Sequence, residues 1–96
     1  LKPNAPEPGK RPRSSMTPMF VFKNGLPIMI LGSPGGGTII ATLLNTLVNM
    51  IDFDKTIEEA VNAPKILNQG NVLELEKDLF NNAVLKEELR KKGNQV

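Results

Sequence analysis

Apolar residues follow two different periods along this chain, and the change between them separates predicted strands from predicted helices. Residues 19–23 and 26–31 are rich in β-branched, aromatic and long apolar side chains, which favour strands. Asn24-Gly25 joins the two runs and tolerates the positive φ angles of a type I′ turn, so we predict a tight hairpin. The second strand is apolar at almost every position, which predicts burial on both faces and a layer of structure on each side.

From Thr38 the pattern takes a helical period. Thr38, Thr42, Asn45 and Asn49 form one uncharged polar stripe on a segment that is otherwise apolar as far as Ile51. The pattern predicts a helix that is packed on most of its sides.

The next elements are indicated by capping and breaking residues. Thr56 to Glu59 has the spacing of a capping box and predicts a short helix, and Pro64 disfavours helical geometry at Ala63. Residues 72–76 then alternate, with Leu73 and Leu75 on one face, as expected of a half-buried strand.

A final helix is predicted from Asn81 or Asn82 to Gly93, a residue type common just after a helix. Its charged side chains are spaced for two i,i+4 pairs, Glu87 with Lys91 and Glu88 with Lys92. Residues 94–96 have the composition of the first residues of another strand. The fold class that follows is α+β.

Proline dominates the beginning of the chain and excludes regular structure there. Neither a helix nor a central strand accommodates prolines spaced so closely. They occur at Pro3, Pro6, Pro8, Pro12 and Pro18. We therefore treat residues 1–96 as a single fragment, with a Pro-rich loop at 1–17 and a sheet and helix portion at 18–96.

Composition removes several classes of function. The chain has 96 residues with no Cys and no His, which excludes thiolate metal sites, the usual zinc ligand sets and nucleophiles activated by histidine. A net charge of +2 and only four aromatic residues argue against nucleic-acid binding. Residues 24–51 carry no charge, but the helical part is about 14 residues long and a membrane span needs roughly 20. We expect no metal and no cofactor.

The run Gly32-Ser33-Pro34-Gly35-Gly36-Gly37 lies between the predicted hairpin and the predicted long helix, and it is the best candidate for chemistry. Backbone N–H groups stabilise the charge that develops on an amide carbonyl oxygen under attack, provided that no side chain intervenes. Gly35 and Gly36 suit such an oxyanion hole, and a helix that begins directly afterwards adds partial positive charge. The alternatives are a plain strand-to-helix turn and a phosphate-binding loop, although the loop lacks the usual Gly-Lys-Ser/Thr ending.

Ser14 and Ser15 end the Pro-rich segment, where two short hydroxyls and their amides suit a substrate carboxylate. As an isolated pair, such serines are more often turn residues. Arg11 and Arg13 add positive potential for an anionic substrate or belong to a solvated basic loop.

These motifs together resemble the small subunit of gamma-glutamyltranspeptidases. The resemblance covers nearly the whole chain and rests on five runs in order, at Arg11-Pro12-x-Ser14-Ser15-Met16-x-Pro18, Phe20-Val21-Phe22-Lys23-Asn24-Gly25-x-Pro27, Gly32-Ser33-Pro34-Gly35-Gly36, Val48-Asn49-x-Ile51-Asp52-Phe53 and Ile57-Glu58-Glu59-Ala60-Val61-x-Ala63-Pro64.

The resemblance implies an αββα sandwich of the N-terminal nucleophile hydrolase type. It also implies a γ-glutamyl transfer or hydrolysis reaction, in which an autoproteolytically exposed Thr attacks glutathione or another γ-glutamyl compound. Ser14 and Ser15 would bind the donor α-carboxylate, and Gly35 and Gly36 would form the oxyanion hole. The nucleophile is expected upstream of Leu1, outside this chain.

The same resemblance implies partners and a compartment. The expected partners are the large subunit and the missing amino-terminal part of the small subunit, and the location is extracellular or periplasmic. An isolated chain is expected to expose apolar surface, to self-associate and to be inactive. Arg13 and Thr38 depart from the family pattern, where Leu and Arg are common. The exact substrate therefore stays open. Two other functions also stay open, namely a related acylase or poly-γ-glutamate-processing enzyme and a non-catalytic binding or scaffold domain.

Overall fold

The computed structural model describes residues 4–96, which form helices and two small sheets. Residues 4–17 contain no helix or strand, and the first three residues of the predicted Pro-rich loop lie outside the described part of the chain. A first hairpin, β1 (Met19–Lys23) and β2 (Leu26–Leu31), leads through a 3₁₀ turn (Gly36–Thr38) into the long helix α1 (Ile39–Ile51). The remaining elements are, in order, α2 (Ile57–Asn62), β3 (Ile66–Asn68), β4 (Leu73–Leu75), α3 (Lys77–Phe80) and α4 (Ala83–Lys91). The mixture of helices and strands confirms the α+β class.

The predicted hairpin is confirmed, including its turn. Asn24 and Gly25 have φ angles of 51° and 77°, the left-handed values that a type I′ turn requires. The strands pair in antiparallel fashion from Lys23 with Leu26 back to Met19 with Leu31, and one extra residue in β2 makes a bulge.

The predicted burial of β2 on both faces is wrong for this chain. Leu31 is buried, whereas Leu26, Ile28 and Ile30 are more than half exposed. One face of the hairpin packs on α1, where Leu31 joins Ile39 and Leu43 in the core. Within residues 4–96 no second layer covers the other face, so its apolar side chains remain in contact with solvent.

Helix α1 is likewise covered on one side. Ile39, Leu43 and Thr46 are buried, while Ile40 and Leu44 on the opposite side are each 59% exposed. The expectation of packing on most sides therefore fails within this chain, because the described residues provide partners for one stripe of the helix.

The short helix α2 has the predicted cap. Thr56 accepts the Glu59 N–H through its hydroxyl, and the Glu59 carboxylate accepts the Thr56 N–H at 2.8 Å. Ala60 is fully buried and anchors this helix. These reciprocal bonds satisfy donors that a helix N-terminus otherwise leaves unpaired.

The second sheet is only partly predicted from the sequence. The strand predicted at residues 72–76 is present as β4, and it pairs with β3, which the sequence did not reveal. The Leu73 N–H donates to the Gln95 carbonyl at 2.7 Å, so the end of the chain runs beside β4 without forming a strand.

The final helix begins and ends where expected. Asn82 caps α4 by accepting the Leu85 N–H, and Gly93 follows the helix with φ 88°. The ion pair that forms joins Glu88 and Lys91 at 3.0 Å, rather than the predicted i,i+4 pairs. The short helix α3 was not predicted.

The chain exposes more surface than a compact protein of its mass. Its accessible surface is 7556 Å², whereas a compact monomer of 10.5 kDa would expose about 5,400 Å². The radius of gyration is 16.7 Å, compared with about 12.5 Å for a compact domain of this length. Among residues 4–96, no helix has the length and apolar character needed to cross a lipid bilayer.

Candidate functional site

The three consecutive glycines at residues 35–37, which we call the glycine turn, connect the hairpin to α1. Gly35 and Gly36 have φ angles of 129° and 57°, and side chains rarely adopt such backbone conformations. A Cβ atom on Gly35 would also collide with the Thr38 hydroxyl. The chain therefore requires glycine at position 35 to enter the helix in this geometry, and glycine at position 36 avoids the cost of a left-handed backbone.

Thr38 fixes the orientation of the peptide between Gly35 and Gly36. The Gly35 carbonyl accepts two hydrogen bonds from this residue, one from the backbone N–H at 3.1 Å and one from the hydroxyl at 2.9 Å. In a trans peptide the N–H points opposite to the carbonyl. The Gly36 N–H is therefore directed away from the start of the helix.

The amides of the glycine turn are available to a ligand. Within residues 4–96, the N–H groups of Gly35, Gly36 and Gly37 donate no hydrogen bond, and all three residues are exposed. The 3₁₀ turn and α1 carry no acidic residue in their first turns, so no carboxylate there offsets the positive end of the helix. This geometry suits the binding of an anionic or developing negative oxygen.

The serine pair makes only local hydrogen bonds within the described residues. The Ser14 hydroxyl accepts the Met16 N–H at 3.1 Å, and the Ser15 carbonyl accepts the Thr17 hydroxyl at 2.8 Å. Ser14 is exposed and Ser15 is partly buried. The Ser14 contact is the turn arrangement that a short hydroxyl residue often makes, and it leaves the Ser14 hydroxyl hydrogen free to donate.

The two predicted parts of the site leave the hairpin at the same end. Met19 and Leu31 form the last strand pair, Ser15 stands four residues before Met19, and Gly35 stands four residues after Leu31. Four residues reach at most about 14 Å, so both segments stay close to this open end. No hydrogen bond within residues 4–96 joins the serine pair to the glycine turn.

The basic residues of the Pro-rich segment lie on its surface. The Arg13 N–H donates to the Asn4 carboxamide at 2.7 Å, and Arg11 lines a shallow surface depression with residues of the same segment. Both side chains are exposed. They contribute positive charge near the serine pair and make no ion pair within the described part of the chain.

An open cleft of about 350 Å³ is lined in part by the residues that lead from β2 toward the glycine turn. It is lined by Leu31, Gly32, Ser33, Thr42, Leu43, Thr46, Val61, Lys65 and Glu76. The Lys65 ammonium donates to the carbonyls of Val61 and Ala63, so two of its three N–H donors are already used. Over residues 4–96, no group of three acidic, His or Cys side chains is arranged to hold a metal ion.

Two contacts in this part of the structure were not predicted from the sequence. The Gln69 carboxamide, at the tip between β3 and β4, lies against Gly37. Asn45 bonds both backbone groups of Ile66, donating to its carbonyl at 2.9 Å and accepting its N–H at 3.2 Å. The polar stripe on α1 identified Asn45 as unusual, but nothing in the pattern indicated its partner.

Comparison with known proteins agrees with the motifs and with the fold. The family model described as Gamma-glutamyltranspeptidase matches residues 1–96. A glutathione hydrolase proenzyme from a Pseudomonas species is 48% identical over 66 residues, which are 69% of this chain and 12% of that protein. An acylase ACY 1 proenzyme from another Pseudomonas strain is 45% identical over 69 residues, 72% of this chain and 12% of that protein.

A solved structure gives the same result in three dimensions. A mutant of Helicobacter pylori gamma-glutamyltranspeptidase superposes with a TM-score of 0.86 at 43% identity, covering 99% of this chain and 52% of that one. The chain thus spans about half of the solved polypeptide and about one eighth of the curated proenzymes it matches. From the ordered motifs, the geometry of the glycine turn and these matches, we conclude that the chain belongs to the gamma-glutamyltranspeptidase family.

Proposed function

We propose that this chain is the carboxyl-terminal part of the small subunit of a gamma-glutamyltransferase or glutathione hydrolase, and that it binds the donor and stabilises the oxyanion. The observation that carries the proposal is the pair of exposed amides at Gly35 and Gly36, which have no acceptor within residues 4–96 and stand at the start of α1. The serine pair, which leaves the hairpin at the same end, supports donor binding there.

In the proposed reaction a hydroxyl nucleophile, supplied from outside this chain, adds to the γ-glutamyl carbonyl carbon. The carbonyl oxygen becomes negative in the tetrahedral intermediate, and the Gly35 and Gly36 N–H groups donate to it. Ser14 and Ser15 hold the donor α-carboxylate. The C–N bond then breaks, the amine leaves with a proton, and water or an amino acid takes the acyl group from the resulting ester.

Preorganised hydrogen-bond donors lower the activation barrier most when the charge that they face exists only in the transition state. Here the Gly35 carbonyl is held by Thr38, so the attached Gly36 N–H needs little reorientation to meet an oxyanion. We infer that the turn lowers the barrier more than it strengthens binding of the donor.

The chain's uncovered apolar surfaces agree with an αββα sandwich completed by other parts of the protein. The outer face of the hairpin and the outer side of α1 expose large apolar side chains that a covering layer would bury. The proposed partners are the rest of the small subunit and the large subunit, and the proposed substrates are glutathione and other γ-glutamyl compounds.

The first test compares the 96-residue chain alone with the longer processed polypeptide that contains it. Release of the aniline from a γ-glutamyl anilide is measured for both. We expect the longer protein to turn over and the isolated chain to match buffer, since the proposed nucleophile lies outside it. Turnover by the purified chain alone would contradict the division of roles proposed here.

A second function is favoured by one observation. The identity to an acylase ACY 1 proenzyme, 45%, is close to that for the glutathione hydrolase proenzymes. The same glycine turn would serve any amide whose carbonyl oxygen becomes charged. A panel of γ-glutamyl, aliphatic acyl and poly-γ-glutamyl amides presented to the longer protein separates these functions, because preference for an acyl group that lacks an α-carboxylate would favour the acylase.

A further inference from the structure

We propose that Gln69 is a positioning residue for the glycine turn. Its carboxamide lies against Gly37 and holds the turn in the conformation that directs the Gly36 N–H away from the helix. The inference rests on the proposed function, since it concerns how the Gly35 and Gly36 donors are kept in place.

Gly37 differs from its two neighbours in what surrounds it. Gly35 and Gly36 have positive φ angles, whereas the φ angle of Gly37 lies outside that region. A Cβ atom added at Gly37 would overlap the Gln69 carboxamide, which supplies all three of the nearest atoms. At Gly36 the same Cβ would meet nothing within 4 Å. A side chain at position 37 would therefore displace the Gln69 carboxamide, whereas the backbone at this position does not require glycine.

The tip that carries Gln69 is tied to the helix that follows the turn. The Asn68 carboxamide accepts the Gly70 N–H at 2.7 Å and shapes the tip. Farther down β3, Asn45 of α1 bonds the N–H and the carbonyl of Ile66. The contacts thus form a closed ring, which we call the contact ring: the glycine turn leads into α1, α1 is bonded to β3, and the tip after β3 places Gln69 against the glycine turn.

The contact ring restricts the glycine turn, whose three consecutive glycines are otherwise free to change conformation. Glycine populates positive and negative φ angles about equally, so the turn has little intrinsic preference for the observed state. A side chain held against its last residue restricts that freedom at the junction with α1. Gln69 itself is exposed, so its removal should leave the buried core intact.

The experiment uses the full-length processed enzyme and three variants, Gln69→Ala, Gly37→Ala and the double variant. Because small misplacements of catalytic groups reduce turnover strongly, we expect each single variant to lower kcat about tenfold and to leave the donor KM within about twofold. The methyl group that Gly37→Ala introduces displaces the flexible carboxamide, so both substitutions remove the same contact. The double variant should therefore be no slower than the slower single variant.

The matched control is Asn71→Ala, which removes another exposed carboxamide from the same tip. Asn71 makes no side-chain hydrogen bond within residues 4–96 and does not approach Gly37 in the way that Gln69 does. We expect parental kcat and KM. Thermal unfolding of each variant, followed by circular dichroism, checks that the compared enzymes are folded.

Three results would overturn the role of Gln69: a Gln69→Ala enzyme with parental kcat, losses that multiply in the double variant, or a donor KM that rises while kcat is unchanged. The proposed function would still stand if removal of the Gly36 donor, tested separately, lowers turnover. In that case only the role of Gln69 is rejected. A parent enzyme that turns over no γ-glutamyl anilide would instead reject the proposed function itself.

Discussion

Deleting the Gly36 N–H is the most direct perturbation of the proposed oxyanion hole. Replacing the amide between Gly35 and Gly36 by an ester, introduced by joining a synthetic segment, removes the donor and leaves the φ angle free. Gly36→Pro also removes it, but proline fixes φ near −65° and Gly36 adopts 57°. The ester removes the donor without imposing a new φ angle, but it also makes the Gly35 carbonyl a weaker acceptor for the two Thr38 hydrogen bonds. The proline variant disrupts the turn itself.

The expected loss follows from the position of the donor. Removing one preorganised oxyanion donor lowers kcat about 10²- to 10³-fold, or roughly 3–4 kcal/mol of transition-state stabilisation. The donor KM should change little, because the interaction forms with charge that appears during the reaction. Gly36→Pro should lose at least as much, since Thr38 can no longer hold the same peptide orientation.

Gly36→Ala is the matched control, because it keeps the N–H. The space around a Cβ atom at this position is open, and a left-handed backbone costs a non-glycine residue about 1–2 kcal/mol. We expect reduced stability but a kcat within about tenfold of the parent. The assay is steady-state and single-turnover release of aniline from a γ-glutamyl anilide. A folded ester enzyme with parental kcat would refute the role of this amide.

The remaining predictions concern the donor site, the cap of α2 and the isolated chain. Ser14→Ala and Ser15→Ala should raise the KM for α-carboxylate donors more than for an analogue without that group, and equal effects on both substrates would count against carboxylate binding. Hydrogen bonds from the Thr56 N–H and hydroxyl hold the pKa of Glu59 below its ordinary value. The cap should therefore stabilise the protein at neutral pH, and this stabilisation should be lost as the pH falls below about 4.3, the usual pKa of Glu. Urea midpoints of the parent and Glu59→Gln proteins should therefore converge in acid, and a constant difference would contradict this. The isolated chain should self-associate, because its surface exceeds that of a compact monomer by roughly 2,100 Å², and a monodisperse monomer in light scattering would oppose this.

Local features of this chain were readable from the sequence because their causes lie within a few residues. Asn24-Gly25 sets the hairpin turn through its tolerance of positive φ, and Thr56 and Glu59 form their cap across one helical turn. The order of the motifs also identified the family, which the comparisons bear out. The candidate role of the glycine turn came from the same short range, since it depends on three residues and the helix that follows.

The tertiary structure alone brought Asn45 to Ile66 and Gln69 to Gly37. Each contact joins residues more than 20 positions apart, and the three-residue strand β3 is too short to show a period in the sequence. The burial predicted for β2 and α1 was too high. An apolar pattern indicates that a face favours contact with other apolar groups, but it does not identify which part of the protein provides them. Local bonding preferences are properties of the sequence itself, whereas the meeting of distant surfaces depends on how the whole chain packs.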